Sequence, residues 1–134
     1  MSDLGSGAGF PGLILALFNK NKDFHVKLYE KSPVKRRFLT GVIKELSLNA
    51  EVLGDVRNEV IDSEIIICRA FKKLDQIIQV SREIAKKPCK LMILKGQNAQ
   101  EEIKNSFKIK KYPYKLESSM TNKDSKIILM EINK

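Results

Sequence analysis

The 134-residue sequence has no tryptophan, one histidine and two cysteines. Cys68 and Cys89 are too few for a metal site and lie in apolar stretches, which is typical of a reducing cytoplasm. The longest apolar run, Phe10 to Phe18, is far shorter than the roughly 20 residues of a transmembrane helix. No charged segment followed by an apolar one opens the sequence as a signal peptide would. We therefore expect a cytoplasmic protein with no metal site and no membrane partner.

Lysine and arginine outnumber aspartate and glutamate by 25 to 16, which gives a net charge of +9 and a pI of about 9.6. This excess favours a polyanionic partner such as nucleic acid. Organisms with AT-rich genomes use many lysines and have basic proteins of every function. The charge alone therefore does not decide between a nucleic-acid partner and a general bias in composition. The length and the hydrophobic content of 43% indicate one globular domain, residues 1–134.

A glycine-rich stretch opens the sequence: Asp3-Leu-Gly-Ser-Gly-Ala-Gly-Phe-Pro-Gly12. Closely spaced glycines mark a backbone that takes positive φ or lets a ligand approach, and Pro11 suits the first turn of a helix. The dinucleotide-binding fingerprint needs glycine where Phe10 stands, and the Gly-Lys-Ser/Thr of a phosphate-binding loop does not follow. The remaining pattern, D-x-G-x-G-x-G, resembles motif I of the S-adenosylmethionine-dependent methyltransferases. A structural turn without a ligand is the alternative.

Apolar periodicity predicts alternating strands and helices. The expected strands are a short one ending at Leu4 and the segments 24–30, 50–53, 63–68, 90–96, 108–117 and 126–132. The expected helices are 10–19, a helix opened by Ser32 and Pro33, 74–85 and 99–107. On the second helix we expect one apolar stripe to pack on the sheet, made of Val34, Phe38, Val42 and Leu46 with Leu39 and Ile43 beside them.

This alternation predicts an α/β fold with a mostly parallel sheet and helices on both faces. The last two strands have no helix between them and are joined by the polar loop Ser118 to Ser125, so we expect an antiparallel hairpin at one edge. That ending is the topology of class I, Rossmann-like methyltransferases. Ligands of such sheets bind at the carboxyl ends of the strands. The glycine turn, Glu30, Arg69 and Lys95 all fall at strand ends.

Glu30 ends the second predicted strand, about twenty residues beyond the glycine turn. A carboxylate at this distance can accept hydrogen bonds from both ribose hydroxyls of an adenosine. The alternative is an exposed acid at a strand end.

Several motifs together resemble the RsmG (GidB) family. They are the glycine-rich stretch with its Phe-Pro-Gly, Lys35-Arg-Arg-Phe-Leu39, Arg57-Asn-Glu59, Arg69-Ala-Phe71 and Leu94-Lys-Gly96. The similarity covers nearly the whole chain. Members of this family are bacterial S-adenosylmethionine-dependent enzymes that methylate guanine N7 in 16S ribosomal RNA. The resemblance implies the same cofactor, 16S ribosomal RNA or the small ribosomal subunit as partner, and a monomer.

The resemblance also implies roles for individual residues. By position, the cofactor-binding residues are Gly5, Ser6, Gly7, Gly9, Phe10, Glu30, Asn58, Glu59 and Arg69. The glycine turn surrounds the methionine part, Glu30 holds the ribose, and Asn58 and Glu59 border the adenine. Arg69 and Lys95 occupy the catalytic positions. Guanine N7 has no proton to lose, so Arg69 is expected to hold an RNA phosphate, guanine O6 or the cofactor carboxylate, or else to form a salt bridge between strand and loop.

The sequence departs from the family at its start. The family has several helices and most of the first strand before the glycines, and we expect a shortened first strand and some exposed apolar surface here. Cys68 stands where the family usually has serine. Two alternative functions follow: a catalytically inactive, RNA-binding remnant of this fold, and a methyltransferase with another substrate.

Overall fold

The computed structural model describes residues 1–106 and 112–133. In this part of the chain the strands are β1 (Ser2–Leu4), β2 (Val26–Tyr29), β3 (Ala50–Leu53), β4 (Ile65–Arg69), β5 (Cys89–Lys95), β6 (Tyr114–Ser118) and β7 (Lys126–Ile132). The helices are α1 (Gly12–Phe18), α2 (Pro33–Glu45), α3 (Leu74–Ile84) and α4 (Ala99–Ser106), and a 3-10 turn spans Val56–Asn58. The predicted start of the sixth strand at Lys108 and the predicted end of the fourth helix at Phe107 lie outside the described residues.

The strands form one sheet in the order β3-β2-β1-β4-β5-β7-β6. Strand β1 pairs in parallel with β2 and β4, and the pairs β2–β3 and β4–β5 are also parallel. Strand β7 runs antiparallel to both of its neighbours, β5 and β6. The predicted mostly parallel α/β sheet with an antiparallel hairpin at one edge is therefore confirmed. Strand β1 has three residues, yet it lies between two parallel neighbours.

Two separate hydrophobic clusters lie on opposite faces of the sheet, because successive side chains of a strand point to opposite faces. On one face, Leu13 of α1 and Leu39 of α2 pack against Val26 and Leu28 of β2. On the other face, α3 and α4 pack against the central strands through residues that include Leu4, Cys68, Leu74, Ile77, Leu91, Ile103 and Ile128. Helices therefore cover both faces, as predicted.

The packing face of α2 differs from the prediction. Val34, Phe38 and Leu46 are 67%, 55% and 50% exposed, whereas Leu39 is fully buried. Residues four apart advance about 40° around a helix, so a strict four-residue repeat drifts sideways and the members at both of its ends turn away from the sheet. The face that packs on the sheet consists of Leu39, Val42 and Ile43.

Part of the sheet surface is incompletely covered. On the face of β4, β5 and β7 opposite to α3, alternate residues are partly buried and belong to neither cluster: Ile65, Met92, Leu94, Ile127 and Leu129. This surface agrees with the expectation of exposed apolar area.

Within the described residues, no helix is long and apolar enough to cross a membrane. The same part of the chain contains no cluster of three or more His, Cys, Asp or Glu side chains placed to hold a metal ion. Cys68 and Cys89 are both buried, and burial raises the pKa of the Cys68 thiol to about 12. A thiol with such a pKa stays protonated at neutral pH and is a poor nucleophile.

Candidate active site

The carboxyl ends of β1 to β5 meet at one edge of the sheet, because these strands are parallel. The glycine turn follows β1, Glu30 follows β2, Asp55 follows β3, and Arg69 and Lys95 end β4 and β5. Two cavities open at this edge. The fold therefore brings the predicted strand-end residues together.

The glycine turn is held against the end of β2. The backbone N–H groups of Gly5 and Ser6 both donate to the carbonyl oxygen of Tyr29, at 2.9 and 3.0 Å. Positive φ occurs at three residues of the turn, Gly5 (70°), Gly7 (58°) and Gly9 (94°). A Cβ atom on Gly5 would lie 2.6 Å from the Phe71 ring. Gly5 is therefore required both by its φ and by the close approach of that ring.

Glu30 links the glycine turn to helix α2. Its side chain is 6% exposed. Its Oε2 accepts a hydrogen bond from the Gly7 N–H at 2.8 Å, and its Oε1 accepts one from the Ser32 N–H at 2.9 Å. A carboxylate has about four acceptor positions, so each oxygen keeps one for a ligand. Glu30 is oriented by the backbone and lines the first cavity.

Asp3 lies beneath the start of α1 and is fully buried. Its Oδ2 accepts a hydrogen bond from the Gly12 N–H at 2.9 Å, while its Oδ1 has no hydrogen-bond partner among residues 1–106 and 112–133. Burial raises the pKa of Asp3 to about 6. The glycine motif therefore contains a buried carboxylate that titrates close to neutral pH.

The first cavity has a volume of about 240 Å³. Its lining comes from the glycine turn, the end of β2, the 3-10 turn and the loop after β4, and includes Gly5, Tyr29, Glu30, Asp55, Val56 and Phe71. Hydrogen bonds from Arg57 to Asp55 lower the pKa of this carboxyl to about 2. Arg57 lines this cavity. Asn58 and Glu59, which were predicted to border the adenine, are exposed and are not among its lining residues.

A second cleft of about 570 Å³ lies between the ends of β4 and β5 and the β6–β7 loop. Arg69, Leu94, Lys95, Ser119 and Lys126 are among its lining residues. Ala70 lines both this cleft and the first cavity, so the two adjoin. Arg69 is exposed and makes no ion pair with any residue that the structure describes.

Lys95 is held by contacts within the protein. Its side chain is 10% exposed, and its Nζ lies 2.9 Å from Glu102 Oε2. The same ammonium group donates a hydrogen bond to the Lys72 carbonyl oxygen at 2.8 Å. Lys95 therefore joins the end of β5 to α4 and to the loop after β4.

The structure adds to this edge three residues for which the sequence predicts no role: Asp55, Phe71 and Glu102. An acid directly after Gly54 at a strand end is a local signal for Asp55. Phe71 and Glu102 act through contacts between distant segments, with Gly5 and with Lys95. Neither contact has a signature in the spacing of the sequence.

Residues 1–128 match the family model described as rRNA small subunit methyltransferase G. The chain belongs to the rRNA small subunit methyltransferase G family. This confirms the resemblance on which the residue roles rest. The roles themselves remain predictions.

Relatives in the rRNA small subunit methyltransferase G family are longer than this chain. The protein named ribosomal RNA small subunit methyltransferase G from Mesoplasma florum is 40% identical over 131 residues, which cover 92% of this chain and 52% of the relative. The protein of the same name from Pelagibacter ubique is 33% identical and aligns with 100% of this chain and 64% of its own length. The chain thus spans about half to two thirds of these curated relatives.

Solved structures of other proteins share the fold of this chain. A SAM-dependent methyltransferase from Aquifex aeolicus superposes with a TM-score of 0.76 at 14% identity, over 98% of this chain and 80% of that one. A structure of MtNAS in complex with S-adenosylmethionine superposes with a TM-score of 0.74 at 11% identity, over 99% and 54% of the two chains. These similarities confirm the class I methyltransferase fold.

Proposed function

We propose that this chain binds S-adenosylmethionine and transfers a methyl group to guanine N7 of 16S ribosomal RNA in the bacterial cytoplasm. The observation that carries the proposal is that two cavities adjoin at Ala70. One is bounded by the glycine turn and Glu30, and the other by Arg69 and Lys95. Transfer between two bound molecules requires such adjacent positions.

The residues around the first cavity fit the cofactor. Glu30 and Asp55 supply carboxylates that accept hydrogen bonds from hydroxyl and ammonium groups, and Val56 and Phe71 supply apolar walls. In this proposal Glu30 holds the ribose hydroxyls and the segment 55–59, with Asn58 and Glu59, borders the adenine. The methionine part is assigned to the glycine turn, which consists of Gly5, Ser6, Gly7, Gly9 and Phe10. S-adenosylmethionine supplies an electrophilic methyl group on a sulfonium sulfur.

The chemistry at guanine N7 asks for alignment rather than proton transfer. N7 carries a lone pair and no proton, so no general base is required. Exclusion of water and correct orientation can supply roughly 7–11 kcal/mol of the barrier. The methylated base gains positive charge, so we assign Arg69 to an RNA phosphate, guanine O6 or the cofactor carboxylate rather than to N7. Its exposure and its lack of an ion pair among the described residues support a ligand-binding role.

The partner is inferred to be the small ribosomal subunit, approached by a monomer of this chain. The net charge of +9 favours a polyanion. Exposed cations surround both cavities, among them Lys31, Lys35 and Arg69. Such groups contact phosphates with little regard to sequence, so base contacts within the second cleft must supply specificity.

Calorimetric titration with S-adenosylhomocysteine tests the cofactor half of this proposal. We expect the wild-type chain to bind and Glu30→Gln to bind at least about tenfold more weakly, because the amide nitrogen can accept neither from a ribose hydroxyl nor from the Gly7 or Ser32 N–H that the replaced oxygen binds. The matched control is Glu131→Gln, which removes an exposed carboxylate near the opposite edge of the sheet. Equal affinities of wild type and Glu30→Gln would contradict the assigned ribose site.

Methylation of unmodified small subunits tests the other half. Borohydride reduction followed by aniline cleavage reports N7-methylguanine in the extracted RNA, and Arg69→Ala should lower the yield. A folded chain that binds small-subunit RNA, but that does not bind the cofactor and does not methylate the RNA, would instead favour the inactive RNA-binding remnant.

A further inference from the structure

The loop between β4 and α3 is tied to α4 by one carboxylate. Glu102 Oε2 accepts a hydrogen bond from the Leu74 backbone N–H at 3.2 Å. The same oxygen lies 2.9 Å from Lys95 Nζ. Helix α3 has Lys73 at its N-cap position, and that residue makes no side-chain capping bond. Glu102 therefore supplies, from another helix, an acceptor for one of the N–H groups that are free at the start of α3.

The residues just before Leu74 line the cavities, Ala70 both of them and Phe71 and Lys72 the first. Ala70 has a φ of 50°, which is unusual for a residue with a side chain. Phe71 places its ring against Gly5, where a Cβ atom would lie 2.6 Å from ring carbon Cδ2. The Lys72 ammonium lies 5.7 Å from the centroid of that ring, and the Lys72 carbonyl accepts from Lys95 Nζ at 2.8 Å.

We infer that Glu102 is a positioning residue that holds the Phe71 ring against the glycine turn and thereby completes the wall of the first cavity. The path is continuous in the structure. Glu102 binds Leu74 and Lys95, Lys95 binds the Lys72 carbonyl, and Phe71 is the neighbour of Lys72. The significance of the inference for catalysis rests on the proposed function, but the geometric claim does not.

Removing Glu102 leaves two groups without their acceptor. The Lys95 side chain is 10% exposed and would lose its carboxylate partner, so it is expected to move toward water and to release the Lys72 carbonyl. The Leu74 N–H at the start of α3 would lose its acceptor as well. Both changes release the loop that carries Phe71. The positive φ of Ala70 is unfavourable and is kept only while the surrounding contacts hold the loop, so the loop is expected to relax when they are lost.

The first experiment measures the position of Phe71 without any ligand. An aromatic ring in contact with Gly5 shifts the amide and α-proton NMR resonances of Gly5, and Phe71→Ala defines their positions without the ring. We expect the Gly5 resonances of Glu102→Ala to move most of the way to the Phe71→Ala positions. Glu102→Gln keeps an acceptor for Leu74 and loses the ion pair, so its resonances should lie between. Glu101→Ala, the neighbouring exposed acid on α4, is the control and should match wild type.

The second experiment measures affinity for S-adenosylhomocysteine in a double-mutant cycle. We expect Glu102→Ala to weaken binding about tenfold in the wild-type background and less than about twofold in the Phe71→Ala background, because the effect passes through Phe71. Circular dichroism at the titration temperature confirms that each variant is folded, and Glu102→Gln replaces Glu102→Ala if the latter is not.

The outcomes separate the two hypotheses. Unchanged Gly5 resonances in a folded Glu102→Ala variant overturn the inference, as does an equal loss of affinity in both backgrounds. A wild-type chain that binds no S-adenosylhomocysteine contradicts the proposed function, and the Gly5 resonances still decide the role of Glu102.

Discussion

At the scale of single residues, Asp3 is expected to make the free energy of unfolding depend on pH between 4.5 and 7.5. Its pKa is raised from 3.8 to about 6 by burial, so the folded state binds a proton that the unfolded state releases between these values. The free energy of unfolding should therefore rise as the pH falls from 7.5 to 4.5, with about 2 kcal/mol of the change due to Asp3. Asp3→Asn should remove this contribution, as measured by urea denaturation at both pH values.

The control for this prediction is Asp23→Asn, which changes a carboxylate in an exposed turn. It should keep the wild-type response to pH. Asparagine can still accept from the Gly12 N–H, so Asp3→Asn is expected to fold. If Asp3→Asn and wild type gained equal stability on acidification, the ionised Asp3 would not destabilise the folded state.

The residues of the site differ in how far the sequence reveals them. The position of Glu30 beside the glycine turn was predictable because its distance from the turn is fixed by one helix and one strand of ordinary length. Phe71 could be quoted as part of a motif, but its contact with Gly5 arises only when β4 lies beside β1. Glu102 had no signal at all, since one acid on an amphipathic helix resembles any solvated acid. Residues that act through contacts between distant segments therefore could not be predicted from the sequence.

At the scale of elements, α2 contains two adjacent apolar residues, Phe38 and Leu39, of which only one is buried. Leu39 is fully buried against β2, whereas Phe38 is 55% exposed. Leu39→Ala should therefore lower the free energy of unfolding by about 2–5 kcal/mol through lost burial and the cavity left behind. Phe38→Ala should lower it by less than about 1 kcal/mol, although it removes the larger side chain. Urea denaturation of both variants measures the difference.

Both substitutions put alanine into the interior of the same helix, and leucine and phenylalanine differ in helix propensity by less than about 0.5 kcal/mol, so propensity explains little of the expected difference. Comparable losses in the two variants would mean that Phe38 packs as the four-residue stripe predicts. The contrast with α3 explains why the sequence prediction failed for one helix. In α3 the apolar residues follow three- and four-residue steps, and Leu74, Ile77, Ile78, Ser81 and Ile84 are all buried. Apolar residues at mixed steps of three and four stay on one face of a helix, whereas apolar residues at uniform steps of four, as in α2, do not.

At the scale of the whole molecule, the arrangement of strands was the most predictable feature. Alternating strands and helices dictate a parallel sheet with right-handed connections, and two strands without a helix between them dictate an antiparallel edge. The position of the antiparallel strand β7 between β5 and β6 needed the structure to be seen. The partly exposed apolar residues on β4, β5 and β7 likewise needed the structure to be located.

The distribution of charge over the molecule leads to the last prediction. Lys31, Lys35 and Arg69 lie around the two cavities, whereas Lys20, Lys22 and Lys90 lie toward the amino ends of β2 and β5. Each phosphate contact adds about 0.7–0.9 to the slope of log affinity against log salt. Changing the first three residues to glutamine should therefore lower that slope for 16S ribosomal RNA by about 2–3, as measured by filter binding from low to high salt. The second triple variant removes the same net charge and should leave the slope nearly unchanged. Equal reductions in the two variants would show that RNA senses the overall charge of the protein and not a surface at the carboxyl edge of the sheet.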